Sequence, residues 1–212
     1  MSESYRYYLH ETYDFDKATW VASGLAIWVT GGVLGFIYEV IFYWANSGFN
    51  VVYWRSGTFG PWLDSYCIIS LLLYIIMYRL RRKPWLVIPL CAIICTAVQF
   101  LVGMGLYYIF NGARAWNCNL EILNFGNIGG FICLRTLVEF AVLGTLIMYA
   151  IVPMILEMAC AVRRNTFVRL WFIIGFICIA DIVYNDILCF IIPALPCASD
   201  IYRSFGFKYM KY

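Results

Sequence analysis

The chain has 212 residues, 64% of them hydrophobic and only 13% charged, with a formal net charge of +3. A soluble domain carries roughly 25% charged residues, so the polar surface here is too small to cover a core in water. The small charge, with no basic stretch interleaved with aromatics, excludes a nucleic-acid partner and leaves the lipid bilayer as the expected surrounding.

The first 17 residues, MSESYRYYLHETYDFDK, are polar and acidic. They lack the basic-then-apolar order of a cleaved signal and read as a short interfacial helix or a tail. Five apolar stretches follow, at 19–44, 62–78, 85–110, 131–159 and 167–192. A spanning helix needs about 20 such residues, so the second is short. Trp20, Trp44, Trp62, Trp85 and Trp171 stand at or near their ends, as an interfacial aromatic belt does.

Basic residues gather in RLRRK (79–83) and RRNTFVR (163–169). Both connections fall on one side if all five stretches cross the membrane. The positive-inside rule makes that side cytoplasmic, with the N-terminus inside and the C-terminus outside. Arg6, Lys17 and those two connections stand against Arg55, Arg114, Arg203, Lys208 and Lys211 outside; the basic C-terminal tail dissents. The outer connections 45–61 and 111–130, rich in Gly, Asn and Trp, are expected to fold back toward the membrane, where protein satisfies their backbone groups. The fold class is therefore all-α: one polytopic integral membrane domain over 1–212 with about five spans.

Of the nine cysteines most lie inside apolar runs, no CxxC occurs, and His10 is the single histidine. No metal or other cofactor is expected. Cys118 and Cys197, both outside the spans, are the candidates for a disulfide.

A helix rises about 1.5 Å per residue, so depth follows from distance to a span's end. Glu39, Gln99, Arg135, Glu139, Asp181 and Asp186 all fall in the outer half or near the midplane, on four spans. Arg135 and Glu139 are four apart and share a helix face, as do Asp181 and Asn185. Ionisable groups at such depth face a bundle interior or a watery cavity. Two readings stand side by side. Arg135 neutralises Glu139 and Glu39 and staples helices together, or the set lines a polar cavity open to the outside. Four carboxylates around one arginine suit proton coupling, a cationic or amine ligand, or general acid–base chemistry.

The glycines and Pro61 of SGTFGPW set tight turns, or else they expose N–H groups that bind an anion or carbonyl beside Arg55. No GxxxxGK[ST] occurs, so the chain does not hydrolyse ATP by that device.

GFIYE (35–39) and YWRSGTFGPWLDSYC (53–67) together resemble the CmpB-like family of small bacterial ABC-transporter permeases, whose pattern is G-W-x-x-E followed by R-G-x-x-x-G-P-x-x-P-I-Y-G. Gly35, Glu39, Arg55, Gly57, Gly60, Pro61 and Tyr66 fall into it, with Ser56 inserted, Asp64 in place of proline and Cys67 in place of glycine. QFLVG (99–103), WNC (116–118) and NIGGFICL (127–134) follow the second half of the pattern through Trp116 and Asn127. There Gln99 replaces a carboxylate, Asn117 an aspartate and Phe131 an arginine. Arg135, one turn on, stands in for the lost charge. The resemblance covers 30–150. It implies a bacterial cytoplasmic-membrane protein built from two related helical hairpins.

A transporter or transporter subunit follows, with its outward-facing site drawn from the residues named and with a homodimer as its assembly. In an ABC system a separate ATPase would dock on the inner connections 79–84 and 160–166, whose shortness counts against it. The alternatives are an intramembrane enzyme using carboxylate acid–base chemistry on a lipid-linked or peptide substrate, and a non-catalytic membrane partner. A neighbouring biosynthetic enzyme would favour the former. A triad nucleophile is excluded because no histidine lies at depth.

Overall fold

A computed structural model describes residues 8–10, 12–109, 112, 116–120 and 123–208. Arg6, Arg114 and Lys211, used above for orientation, lie outside these residues, as do 1–7 and 11 of the polar start. Among the described residues the secondary structure is helical: α1 Lys17–Asn46, α2 Asp64–Met77, α3 Pro84–Ile109, α4 Leu134–Ala161, α5 Arg164–Ile191 and the short α6 Ala198–Ser204. Helices α1, α3, α4 and α5 are long and apolar enough to cross a membrane. Helix α2 has 14 residues and gains a 3₁₀ turn, Tyr78–Leu80, giving roughly 27 Å. Four full-length spans and this shorter one make up the bundle.

Helix α2 is short because it starts partway along α1. Leu63 donates its N–H to the Gly32 carbonyl at 3.2 Å, so the chain re-enters the bundle beside the middle of α1. Gly31, Gly32 and Gly35 permit the contact. A Cβ on them would fall 2.1 Å from Ser70 Oγ, 2.2 Å from Cys67 Sγ and 2.2 Å from Tyr66 Cγ respectively. Small residues four apart are how membrane helices bring backbones close, and Gly31 and Gly35 have that spacing. Beyond Gly35, α1 runs on for about 16 Å, and residues 47–63 fold back along this extension. Trp54 packs on Phe36 with ring centroids 4.8 Å apart. The second hairpin repeats the plan. Gly144 of α4 meets Cys91 of α3, and Phe131, just before α4, packs on Phe100 and Tyr107 of α3.

The main core lies toward the end of the bundle where the basic connections sit (the basic end). Leu73, Met77, Val87, Cys91, Met148, Val152 and Phe167 are among its buried members. A smaller cluster of Val29, Cys67 and Cys178 ties α1 and α2 to α5. The connections here are three residues, Arg81 to Lys83, and two, Val162 and Arg163.

The described part of the N-terminal segment folds onto this end. The Tyr8 hydroxyl donates to the Met148 carbonyl at 2.6 Å, and buried Arg81 donates to the Tyr8 carbonyl at 2.6 Å. Arg82 reaches the Leu9 and His10 carbonyls. Burial holds the Tyr8 phenol well above its usual range. Asp16 caps α1 and pairs with Arg164, whose hydrogen bond holds this exposed carboxyl well below the usual carboxylate range.

The C-terminal stretch packs at the opposite end, which carries the two long loops (the loop end). Trp54 N–H donates to the Lys208 carbonyl at 2.8 Å, and the Tyr202 and Phe207 rings pack on Trp54. The described terminal segments, Tyr8–His10 and Ala198–Lys208, therefore lie at opposite ends of the bundle. Cys118 and Cys197 are not joined by a disulfide. Cys118 is buried in the second loop, hydrogen-bonded through its N–H to Gly130, whereas Cys197 belongs to the C-terminal stretch that packs on the first.

The close α1–α2 contact gives a direct check. Gly32→Ala places a methyl inside van der Waals contact of Cys67 and is expected to cost about 1–3 kcal/mol, read as a lower unfolding midpoint in detergent. Gly105→Ala, inside α3 with nothing within 4 Å, does not lower the midpoint.

Candidate functional site

At the loop end, a chain of side chains crosses the bundle. Arg55, on the folded-back first loop, places Nε and Nη2 each 2.8 Å from Glu39 Oε2. Its guanidinium lies 4.0 Å over the Tyr43 ring, one helical turn beyond Glu39. The other Glu39 oxygen, Oε1, is 3.2 Å from the Tyr66 hydroxyl of α2. That hydroxyl is also 3.0 Å from Glu139 Oε1 on α4. Glu139 Oε2 pairs with Arg135 Nη1 at 2.9 Å, and the Arg135 guanidinium stacks 4.3 Å over Phe42. The four charged side chains are only 7–19% exposed. Such groups persist in an apolar setting when each charge has an opposite partner and its remaining hydrogen-bonding positions are filled.

Gly35 and Glu39 serve the same purpose from one helix face. Without a side chain, Gly35 lets the Tyr66 ring lie against α1; one turn on, Glu39 meets its hydroxyl. With Arg55 present, the set counts two carboxylates and two arginines. It is formally neutral, where the sequence suggested an acid-rich cluster.

The structure places Asp181 elsewhere at the loop end. Its carboxylate accepts from the Phe59 N–H at 3.0 Å and the Gly60 N–H at 2.8 Å, and Asn185 Nδ2 reaches it at 2.8 Å. Asn185 Oδ1 in turn accepts from the Ala198 N–H at 2.8 Å. The exposed amides of the SGTFGPW turn thus meet an anion supplied by this chain. Ser56 and Thr58 fasten the same turn from within, their hydroxyls 2.5 Å apart and Ser56 reaching the Trp62 carbonyl at 2.8 Å. The Trp62 ring occupies the space a Gly60 side chain would need. Asp186 is exposed beside Gly57, and Pro61 is exposed at the turn.

Trp116 and Asn127 organise the second loop. Trp116 Nε1 donates to the Phe131 carbonyl at 2.8 Å; Asn127 accepts from Gly130 N–H at 2.7 Å and donates to Asn119 Oδ1 at 2.7 Å. Gln99 on α3 is not part of the Arg55–Arg135 chain, and its buried Oε1 has no hydrogen-bond partner among the described residues. Phe131, where the resemblance has arginine, packs between Phe100 and Tyr107. The second hairpin therefore holds an aromatic contact where the first holds an ion pair.

Beside Arg135 and Glu139 opens a groove of about 490 Å³. Its walls include Tyr38 of α1, Leu123 and Phe125 of the second loop, and Leu134, Val138 and Val142 of α4. Tyr38, Phe42 and Tyr43 were not singled out in the sequence, although Phe42 and Tyr43 lie three and four residues after Glu39, on its helix face. No three His, Cys, Asp or Glu side chains among the described residues converge as a metal site would require.

The Asp181 contact predicts a local effect. Asp181→Ala strands the Phe59 and Gly60 amides and removes hydrogen bonds to a charged acceptor, a loss of about 1.5–3 kcal/mol. Hydrogen–deuterium exchange should speed up at 57–61 and stay unchanged at Arg81 and Arg82 on the basic end.

No curated protein and no solved structure gives a significant match to this chain. A family model does, over residues 26–185, which takes in Glu39, Arg55, Tyr66, Arg135, Glu139 and Asp181 and runs past the 30–150 covered by the motifs into α5. With well over half of its length matched, the chain belongs to the membrane-protein family described as "Putative ABC-transporter type IV".

Proposed function

We propose that this chain is the membrane-embedded part of a transporter and that its cargo is an amphiphile with a compact polar head group. The observation that carries the reading is the groove: largely apolar along α4 and closed on one wall by the Arg135–Glu139 pair. An apolar tail would lie along Leu134, Val138 and Val142, all exposed toward the membrane, while its head meets both a cation and a carboxylate. Lys17, Arg79, Arg82, Lys83, Arg163, Arg164 and Arg169 cluster at the basic end, and this supports a cytoplasmic N-terminus with the groove facing outward.

In an ABC arrangement the hydrolysis comes from a separate ATPase, because the chain has no phosphate-binding loop of its own. Connections of three and two residues offer such a partner little to grip. A second copy of the chain would complete the path, five crossings being few for a permease.

The test uses the purified protein in lipid nanodiscs and fluorescent long-chain amphiphiles bearing amine, phosphate or zwitterionic heads. Val138→Trp, which fills the groove, and Glu139→Gln, which leaves Arg135 without its carboxylate, should each weaken binding about tenfold or more. Binding unchanged in Val138→Trp overturns the reading. Reconstituted vesicles then separate translocation of the probe from its chemical turnover; turnover would favour carboxylate acid–base chemistry on a lipid-linked substrate.

A further inference from the structure

The Tyr66 hydroxyl has one proton and stands within hydrogen-bond distance of two carboxylate oxygens, Glu39 Oε1 at 3.2 Å and Glu139 Oε1 at 3.0 Å. An ionised carboxylate only accepts. With both glutamates ionised, the hydroxyl can donate to one of them, and its lone pairs then face the other at close range. One added proton removes the conflict: a protonated carboxyl donates to the Tyr66 oxygen while Tyr66 donates to the opposite carboxylate. The remaining oxygens, Glu39 Oε2 and Glu139 Oε2, already accept from Arg55 and Arg135 at 2.8 and 2.9 Å, which directs the added proton to Oε1.

We propose that Glu39, Tyr66 and Glu139 form a single proton-binding site that takes up one proton, shared between the two carboxyls across the tyrosine hydroxyl. The groups facing it are Glu39 and Tyr38 from α1, Tyr66 from α2, Arg55 from the first loop, and Arg135 and Glu139 from α4. Because Glu139 lines the groove, the proton enters from that side. Transfer is balanced: the Glu139 proton passes to the Tyr66 oxygen as the hydroxyl's own proton passes to Glu39 Oε1. No charged tyrosine forms, and the net result is one proton moved from α4 to α1. On Glu39 the proton weakens the contact with Arg55 that holds the first loop in place, whereas on Glu139 it weakens the contact with Arg135. Protonation is thereby linked to the position of the loop. The inference stands on this geometry and holds whatever the groove carries.

The experiment is infrared spectroscopy of the purified full chain in lipid nanodiscs across a pH titration, reading the carbonyl stretch of protonated carboxyls. Wild type should show a band, of one-proton amplitude, that disappears in Glu39→Gln and also in Glu139→Gln, because the pair titrates as a unit. Tyr66→Phe should split or move that titration by about one pH unit or more. Should the variants fail to fold, ring-labelled tyrosine in wild type supplies the second readout: a tyrosine ring mode must shift with the same midpoint as the carboxyl band. Loss of the band in only one glutamate variant, an unchanged midpoint in Tyr66→Phe, or a tyrosine mode that does not follow the carboxyl band overturns the proposal. None of these readouts needs cargo, so they fail or succeed independently of the transport reading.

Discussion

The ion pair between Glu39 and Arg55 sets the geometry of the loop end. A carboxylate this deep in an apolar helix needs a cation beside it, and α1 has no arginine or lysine beyond Lys17 to supply one. The cation comes from the following connection. That connection must then turn back along α1 instead of running away over the surface, and α2 must begin level with the middle of α1. The close approach that results is tolerable only where α1 lacks side chains, at Gly31, Gly32 and Gly35. The shortness of α2, the glycine face and the re-entrant loop are consequences of one electrostatic requirement.

A loop folded into a membrane protein brings backbone N–H groups that water can no longer satisfy. Asp181 takes up two of them at Phe59 and Gly60, and Asn185 extends the same network to Ala198, the first residue of α6. Tyr202 on α6 donates back to the Phe59 carbonyl at 2.5 Å. The first loop is thus held from α1 by charge and from α5 and α6 by hydrogen bonds. The second loop, with Phe131 at the comparable position, is fastened by Trp116 and Asn127 to its own backbone. Among the described residues, charge couples the first loop to the rest of the bundle and hydrogen bonds fasten the second.

Much of this was legible in the sequence. Apolar runs and basic connections marked the helices and their order, and the i, i+4 spacing of Arg135 and Glu139 marked a shared face that the ion pair occupies. Gly35 entered through the resemblance alone, and its close packing against Tyr66 is seen only in the structure. What spacing does not reveal is partnership between distant segments. Arg55 was read as a helper in anion binding on a loop folding back toward the membrane, because nothing local pairs it with Glu39. The amides of SGTFGPW looked ready for an external anion, because Asp181 lies more than a hundred residues away along the chain. Tyr66 entered through resemblance alone. Its place between two carboxylates is a property of three helices meeting, α1, α2 and α4, and no single stretch records it.

The two ends of the bundle differ in how firmly they are held, and α4 spans the difference. Its lower part, Val152–Ala161, is buried in the main core through Val152, Ile155 and Leu156. Its upper part, Leu134–Leu146, carries Arg135 and Glu139 and exposes Leu134, Val138 and Val142. Between them the helix widens into a π turn, Ile147–Ile151, immediately before Pro153. Proline has no N–H to return to the carbonyl four residues back, so the regular ladder is interrupted where the core ends and the site begins. Interruptions of this kind are where helices bend. Helix α5 has a second π segment, Val183–Leu188, that contains Asn185 and Asp186 and begins two residues after Asp181. Both elements that hold the site and the loop from the α4 and α5 sides therefore carry a weak point between their anchored and functional halves. A change of charge at Glu139 or Glu39 would find its mechanical response there, in the upper halves of α4 and α5, with the core at the basic end unmoved.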